Sequence, residues 1–268
     1  MKFLFTYDMI AEEFKMTLLY CILGLLIPFV GTCLGSFLVF FLKKNFDNKY
    51  QKIMVGFAIG VMLAASVWSL IIPAIEMAEN SYKFAWIPSV MGLLLGVLFL
   101  IFVNKYSDRL IKRSNGKSIN MLMFSVTLHN IPEGMAVGVC FAGVLSGNTG
   151  ISLLSAIVLA LGIAIQNIPE GAIISMPMHA AGVSKRKAFF AGIMSGIVEP
   201  LAAFVTILLI NIVVPVLPYL LSFAAGAMIY VVVEELVPEM HSGNKSAIGI
   251  ISVIIGFILM MILDITLG

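Results

Sequence analysis

Charge is what this chain has least of. Only 11% of its 268 residues are Asp, Glu, Lys or Arg, against about 25% in a soluble domain. With 61% apolar residues and a mean hydropathy of +1.09, that shortage excludes a soluble fold and makes the chain an integral membrane protein. No polar stretch is long enough for a separate domain, so residues 1–268 read as a single transmembrane unit. Cysteine is scarce as well. Cys21, Cys33 and Cys140 all fall in apolar runs, where free cysteine behaves as a small hydrophobe, and no disulfide framework is implied. Residues 1–15 lack a cleavable signal pattern; with Asp8, Glu12 and Glu13 they read as a short amphipathic leader into the first span.

What is present is a succession of apolar stretches, each near the roughly 20 residues that cross a bilayer. Eight are expected, at about 17–42, 52–75, 85–104, 119–142, 151–180, 187–210, 217–240 and 247–267. Their length and the absence of strict alternation specify helices rather than a barrel. Of the 16 basic residues, 13 lie in the connections after spans one, three, five and seven, and only Lys2, Lys15 and Lys83 lie on the other side. The positive-inside bias puts those connections in the cytosol and both termini outside.

Two copies of a short motif interrupt this apolar background: His129-Asn130-Ile131-Pro132-Glu133-Gly134 and Gln166-Asn167-Ile168-Pro169-Glu170-Gly171. They occupy spans four and five, which run in opposite directions. A second echo pairs 57–62 of span two with 223–228 of span seven at an offset of 166. Together these suggest an inverted repeat, with spans 1–3 related to spans 6–8 around a central pair, a 3+2+3 plan typical of secondary transporters.

Carboxylates in hydrocarbon are expensive and mark function. Residues four apart share a helix face, so His129 points with Glu133 and Gln166 with Glu170. Pro132 and Pro169 free the carbonyls four residues earlier and are expected to kink their helices, while Gly134 and Gly171 admit close neighbours. Imidazole, carboxylates and amide oxygens suit Zn²⁺, Fe²⁺, Mn²⁺ or Co²⁺ better than Cu⁺. Gln166 is open to two readings, as a ligand or as a group that orients a carboxylate. Glu199, before Pro200 in span six, completes with Asn130 and Asn167 a second candidate position bridged by Glu133 and Glu170, which makes a binuclear site. Glu76 and Glu79 at the outer end of span two, and Glu234, Glu235, Glu239 and His241 at the inner end of span seven, are candidates for ion entrance and exit. His179 is expected at the interface and Asp264 in solvent, and Met62 is the methionine singled out from packing.

These residues resemble the ZIP (Zrt/Irt-like protein) family of divalent metal transporters, in particular its bacterial GufA-like branch. The two Asn-Ile-Pro-Glu-Gly motifs, Glu199-Pro200 and Gly60-Val61-Met62 carry the resemblance. It implies one metal position with Met62, His129, Glu133, Gln166 and Glu170, and another with Asn130, Glu133, Asn167, Glu170 and Glu199. It also implies a homodimer and an elevator-like shift of spans 1, 4, 5 and 6. Gln166 stands where many members have His, and Asn167 where some have an acid. The basic connection 105–118 has no His, so the loop-based metal sensing of many relatives is not expected. The reading is a plasma-membrane carrier moving a divalent transition metal, zinc or also iron, manganese, cobalt or cadmium, into the cytosol by alternating access. Its partners are metal ions and lipid, with no nucleic acid and no enzymatic activity. The alternative, an intramembrane metalloenzyme such as a protease or lipid hydrolase, lacks the His-Glu-x-x-His signature that such chemistry uses. An organic-anion carrier would need Lys or Arg at mid-membrane, where none is found.

Overall fold

The computed structural model describes the backbone of residues 2–41, 48–79, 82–113, 118–147, 151–241 and 247–267, and side chains for residues 19–41, 49–79, 82–106, 127, 130–147, 151–241 and 247–267. Among these residues all regular structure is helical. The helices are α1 (Lys2–Phe37), α2 (Asn48–Ala65), α3 (Ile72–Glu79), α4 (Trp86–Arg113), α5 (Ser118–Ser146), α6 (Leu153–Ala180), α7 (Lys185–Gly196), α8 (Val198–Leu208), α9 (Ile210–Val213), α10 (Leu217–Val231), α11 (Val237–Met240) and α12 (Ala247–Leu267). Seven described segments are long and apolar enough to cross a membrane, and the shorter apolar helix Asn130–Ser146 lies within α5. The chain is an all-helical membrane protein.

Several elements join end to end. A π-helical turn, Ser66–Ile71, links α2 to α3, and a second, Val232–Leu236, links α10 to α11. The two begin 166 residues apart, the offset of the sequence echo, and Pro73 and Pro238 follow them. Turns of this kind insert one residue into the helical ladder and are frequent at functional sites. Pro132 and Pro169, where kinks are expected, lie inside α5 and α6, whose helical structure continues through them; span six is split at Ile197 between α7 and α8. Pro200 explains this break: it has no N–H for the carbonyl of Gly196, four residues earlier.

Four packed pairs dominate: α1 with α6, α2 with α12, α4 with α10, and α5 with α8. They are close because small residues line the contacts. On α12, Gly249, Ser252, Gly256 and Met260 are buried at three- and four-residue spacing, with Ser252 Oγ donating to the Ile53 carbonyl at 2.6 Å. The opposite face carries Ile251, Ile254, Ile258 and Ile262, all exposed on the molecular surface. That is the pattern of a lipid-facing helix, where small residues rather than hydrophobic contrast let backbones approach. At the sites of the motifs the approach is equally tight. A methyl group on Gly134 would stand 2.8 Å from the Cα of Glu199, and one on Gly171 would stand 2.8 Å from the backbone nitrogen of Ser36. These glycines set how near α5 comes to α8 and α6 to α1.

Candidate metal centre

Close packing at Gly134 and Gly171 brings the polar residues of four helices together in the interior. Asn130 and Glu133 come from α5, Gln166, Asn167 and Glu170 from α6, Glu199 from α8 and Thr32 from α1. All are buried, and none exceeds 5% exposure. Glu199 is the most fully bonded. Its Oε1 accepts from Thr32 Oγ1 at 2.9 Å and Asn130 Nδ2 at 3.1 Å, and its Oε2 accepts from Asn167 Nδ2 at 2.7 Å. Asn130 Nδ2 also reaches the Ser195 carbonyl at 3.1 Å, and Asn167 Nδ2 the Pro28 carbonyl at 3.3 Å. Gln166 Nε2 donates to Glu133 Oε1 at 2.8 Å.

The balance of donors and acceptors then becomes informative. Every amide N–H₂ in the cluster, and the Thr32 hydroxyl, is committed to an acceptor. Among the described side chains, which do not include that of His129, what is left over is all acceptor: Asn130 Oδ1, Glu133 Oε2, Gln166 Oε1 and Asn167 Oδ1 are buried without a hydrogen-bond partner. Buried polar atoms in folded proteins are nearly always satisfied, and neither an amide oxygen nor a carboxylate oxygen can satisfy another. The three carboxylates of Glu133, Glu170 and Glu199 are also close enough to repel one another. Among the described residues the one buried basic side chain is Lys52, which belongs to the first turns of α2. A cation supplies what this cluster lacks, because it answers bare oxygens and excess negative charge at once.

Gln166 Nε2 orients Glu133, one of the two readings left open from sequence, while its Oε1 has no hydrogen-bond partner among the described residues. The backbone of His129 lies on α5, one turn before Glu133, but its side chain lies outside the described residues. Met62 is fully buried on α2, which packs against α6. Among the described residues no three His, Cys, Asp or Glu side chains form a metal-binding group by themselves; carboxamides make up the remainder of this donor set.

The proposed entrance and exit residues are dispersed. Glu76 and Glu79 are exposed on α3. Glu235 accepts from Asn104 of α4 at 3.4 Å, and Glu239 from Gln51 of α2 at 2.9 Å, so the two face different helices. Glu234 and His241 are exposed, and His241 Nδ1 lies 2.9 Å from the Val237 carbonyl. His179 makes the same kind of local contact, 2.9 Å from the Val183 carbonyl. Asp264 departs from expectation. It is partly buried rather than solvated, and accepts from Ser69 Oγ at 2.5 Å.

Sequence reasoning did not identify Thr32, Ser195 or the Pro28 carbonyl as supports of Glu199 and its amide partners. The available signals were weak: a hydroxyl and a proline inside the first apolar span, and a serine four residues before Glu199.

A family profile described as ZIP Zinc transporter matches residues 117–264. The chain is 35% identical to "Zinc transporter ZIP11" of Xenopus tropicalis, over 93% of this chain and 98% of that protein. It is 33% identical to "Zinc transporter GufA" of Myxococcus xanthus, over 89% and 95%. It is 34% identical to "Zinc transporter ZIPB" of Bordetella bronchiseptica, over 93% and 82%.

Proposed function

The chain belongs to the ZIP zinc transporter family, and from that premise we propose that it carries zinc or a similar divalent transition metal across the membrane through the buried carboxylate–amide cluster. It is a transporter and not an enzyme. The observation that carries the proposal is the surplus of acceptors: four bare oxygens on Asn130, Glu133, Gln166 and Asn167, with every nearby amide donor already committed. A dehydrated cation is the one common solute that such a set welcomes, since anions and neutral polar solutes would need donors.

The cluster accommodates two ions. Glu133 and Glu170 bridge them; His129, Gln166 and Met62 serve the first, and Asn130, Asn167 and Glu199 the second. The ligands come from spans four, five and six, held by Thr32 of span one, which is the group the family resemblance assigns to an elevator-like movement.

Alternating access follows from an inverted repeat of spans 1–3 and 6–8. Three correspondences support that plan. The π-helical turns begin at 66 and 232. Gly60 packs against the backbone at Val253 and Gly226 against Leu93. The pair Ser69–Asp264 between spans two and eight corresponds to Glu235–Asn104 between spans seven and three. All three relate span two to span seven at an offset of 166, and the last two also relate span eight to span three at an offset of 160. Eight spans, both termini outside, a plasma-membrane location, import toward the cytosol and a homodimer complete the reading; they rest on the charge bias and the family resemblance.

The direct test is uptake into proteoliposomes of the purified protein, compared across Zn²⁺, Fe²⁺, Mn²⁺, Co²⁺ and Cd²⁺ and with empty vesicles. Saturable uptake of at least one of these ions is expected. No uptake above empty vesicles for any of them, by protein that is folded and inserted, would overturn the proposal.

A further inference from the structure

Away from the carboxylate–amide cluster, a second polar space opens in the apolar interior. A cavity of about 250 Å³ lies between the π-helical turn after α2, α3, α5, α6 and α12. Its polar walls are Ser69, Glu76, Cys140, Ser155 and Asp264. Asp264 is the unusual member. Ser69 satisfies its Oδ1, but Oδ2 is enclosed and has no hydrogen-bond partner. Among the described residues no Lys or Arg lines the cavity to neutralise it. Oδ2 faces this cavity, where water or a cation can answer it.

Cys140 decides which cation. It is 2% exposed and is one of the residues that line this cavity. It follows Glu133 by seven residues, which puts both on one face of α5 about 10 Å apart along the axis. The cavity and the metal centre therefore share a helix face. A thiol beside a carboxylate is a mixed sulfur–oxygen ligand pair. Thiolate favours Zn²⁺ and the still softer Cd²⁺ over Mn²⁺ and Mg²⁺, which prefer oxygen alone.

We propose that Cys140 and Asp264 form a second, open metal site, a thiolate–carboxylate stopping place for a soft divalent cation two helical turns from Glu133. On binding, the metal–sulfur bond replaces the S–H bond and the proton leaves to water in the cavity; no oxidation is involved. The Ser69 and Ser155 hydroxyls and water complete the coordination. With two strong protein ligands instead of the three or four of a closed site, it holds an ion loosely enough to pass it on. Binding itself does not depend on the transport reading; only the onward route to Glu133 rests on it.

Cadmium gives a readout independent of transport, because a thiolate bound to Cd²⁺ adds a charge-transfer band in the ultraviolet. Purified full-length protein is titrated with Cd²⁺ as wild type, Cys140→Ser, Asp264→Asn, and the double variant Cys21→Ser/Cys33→Ser, in which Cys140 is the sole thiol. The double variant is expected to keep the band and Cys140→Ser to lose it. Asp264→Asn is expected to shift the midpoint upward by roughly tenfold or more, as loss of a charged partner implies. A band that survives Cys140→Ser, a double variant without one, or an unshifted Asp264→Asn midpoint each overturns the site. If Cys140→Ser does not fold, the double variant still decides. A missing band alongside intact metal uptake refutes this site alone, while a persistent band with no uptake refutes only the transport reading.

Discussion

Glu199→Gln separates the two ion positions. In the wild type Glu199 accepts from Thr32 and Asn130 on one oxygen and from Asn167, at 2.7 Å, on the other. The substitution keeps the volume and one acceptor. With the remaining oxygen at the Thr32–Asn130 end, the introduced N–H₂ faces the Asn167 N–H₂, and two donors cannot sit at that distance. The Asn167 nitrogen also holds the Pro28 carbonyl, so inverting that amide would set two acceptors together, and Asn167 is pushed away instead. The second ion then loses the Glu199 charge and the placement of Asn167 Oδ1, while the first keeps His129, Glu133, Gln166 and Glu170. Losing a charged contact costs about 1.5–3 kcal/mol, which is roughly 10- to 150-fold in affinity. Equilibrium dialysis of detergent-purified protein followed by elemental counting should show two Zn²⁺ per chain in the wild type and one in the variant, with both eluting as single species. If both ions leave together, or both stay at wild-type affinity, the two-position scheme is wrong.

Three further outcomes follow from the same geometry. Gly134→Ala drives a methyl group into the backbone of α8 at Glu199; overpacking of this kind costs about 1–3 kcal/mol, so a thermal unfolding scan should show a lower midpoint and uptake should fall, and an unchanged variant would refute the close approach. Protons compete with metal for carboxylate and imidazole, so apparent Zn²⁺ affinity should decline with falling pH, by about tenfold per unit for each proton displaced; dialysis at a series of pH values that yields constant affinity would exclude these ligands. A cysteine introduced at Asn115, in a background lacking Cys21, Cys33 and Cys140, should resist an impermeant thiol reagent in intact cells, and efficient labelling from outside would reverse the topology.

The spans were legible because hydrocarbon leaves few alternatives: long apolar stretches become helices, and Leu153–Ala180 and Ala247–Leu267 fall where hydropathy placed them. The cluster was legible because its residues recur. Asn130, Glu133, Gln166, Asn167 and Glu170 stand out within otherwise greasy segments, and the four-residue spacing already put the motif side chains on shared faces. What could not be read was long-range. Thr32 and Glu199 are 167 residues apart, and Ser69 and Asp264 are 195 apart; nothing local in either partner announces the other. An acid near the end of a helix reads as solvated, so Asp264 was assigned to water. The π-helical turns escaped notice because one added residue per turn leaves the apolar pattern intact. The break at Ile197 escaped too, since Pro132, Pro169 and Pro200 each remove one helix hydrogen bond and the sequence does not say which loss ends a helix.

The central claim is that a metal ion crosses the membrane through oxygens that Glu133 and Glu170 share. It is tested most directly by zinc uptake into proteoliposomes reconstituted with equal amounts of wild-type, Glu133→Ala and Glu170→Ala protein. Each substitution removes a bridging ligand and leaves the other buried charges without their cation. Uptake by the wild type and none above empty vesicles by either variant is the expected result; wild-type rates from either variant would contradict it.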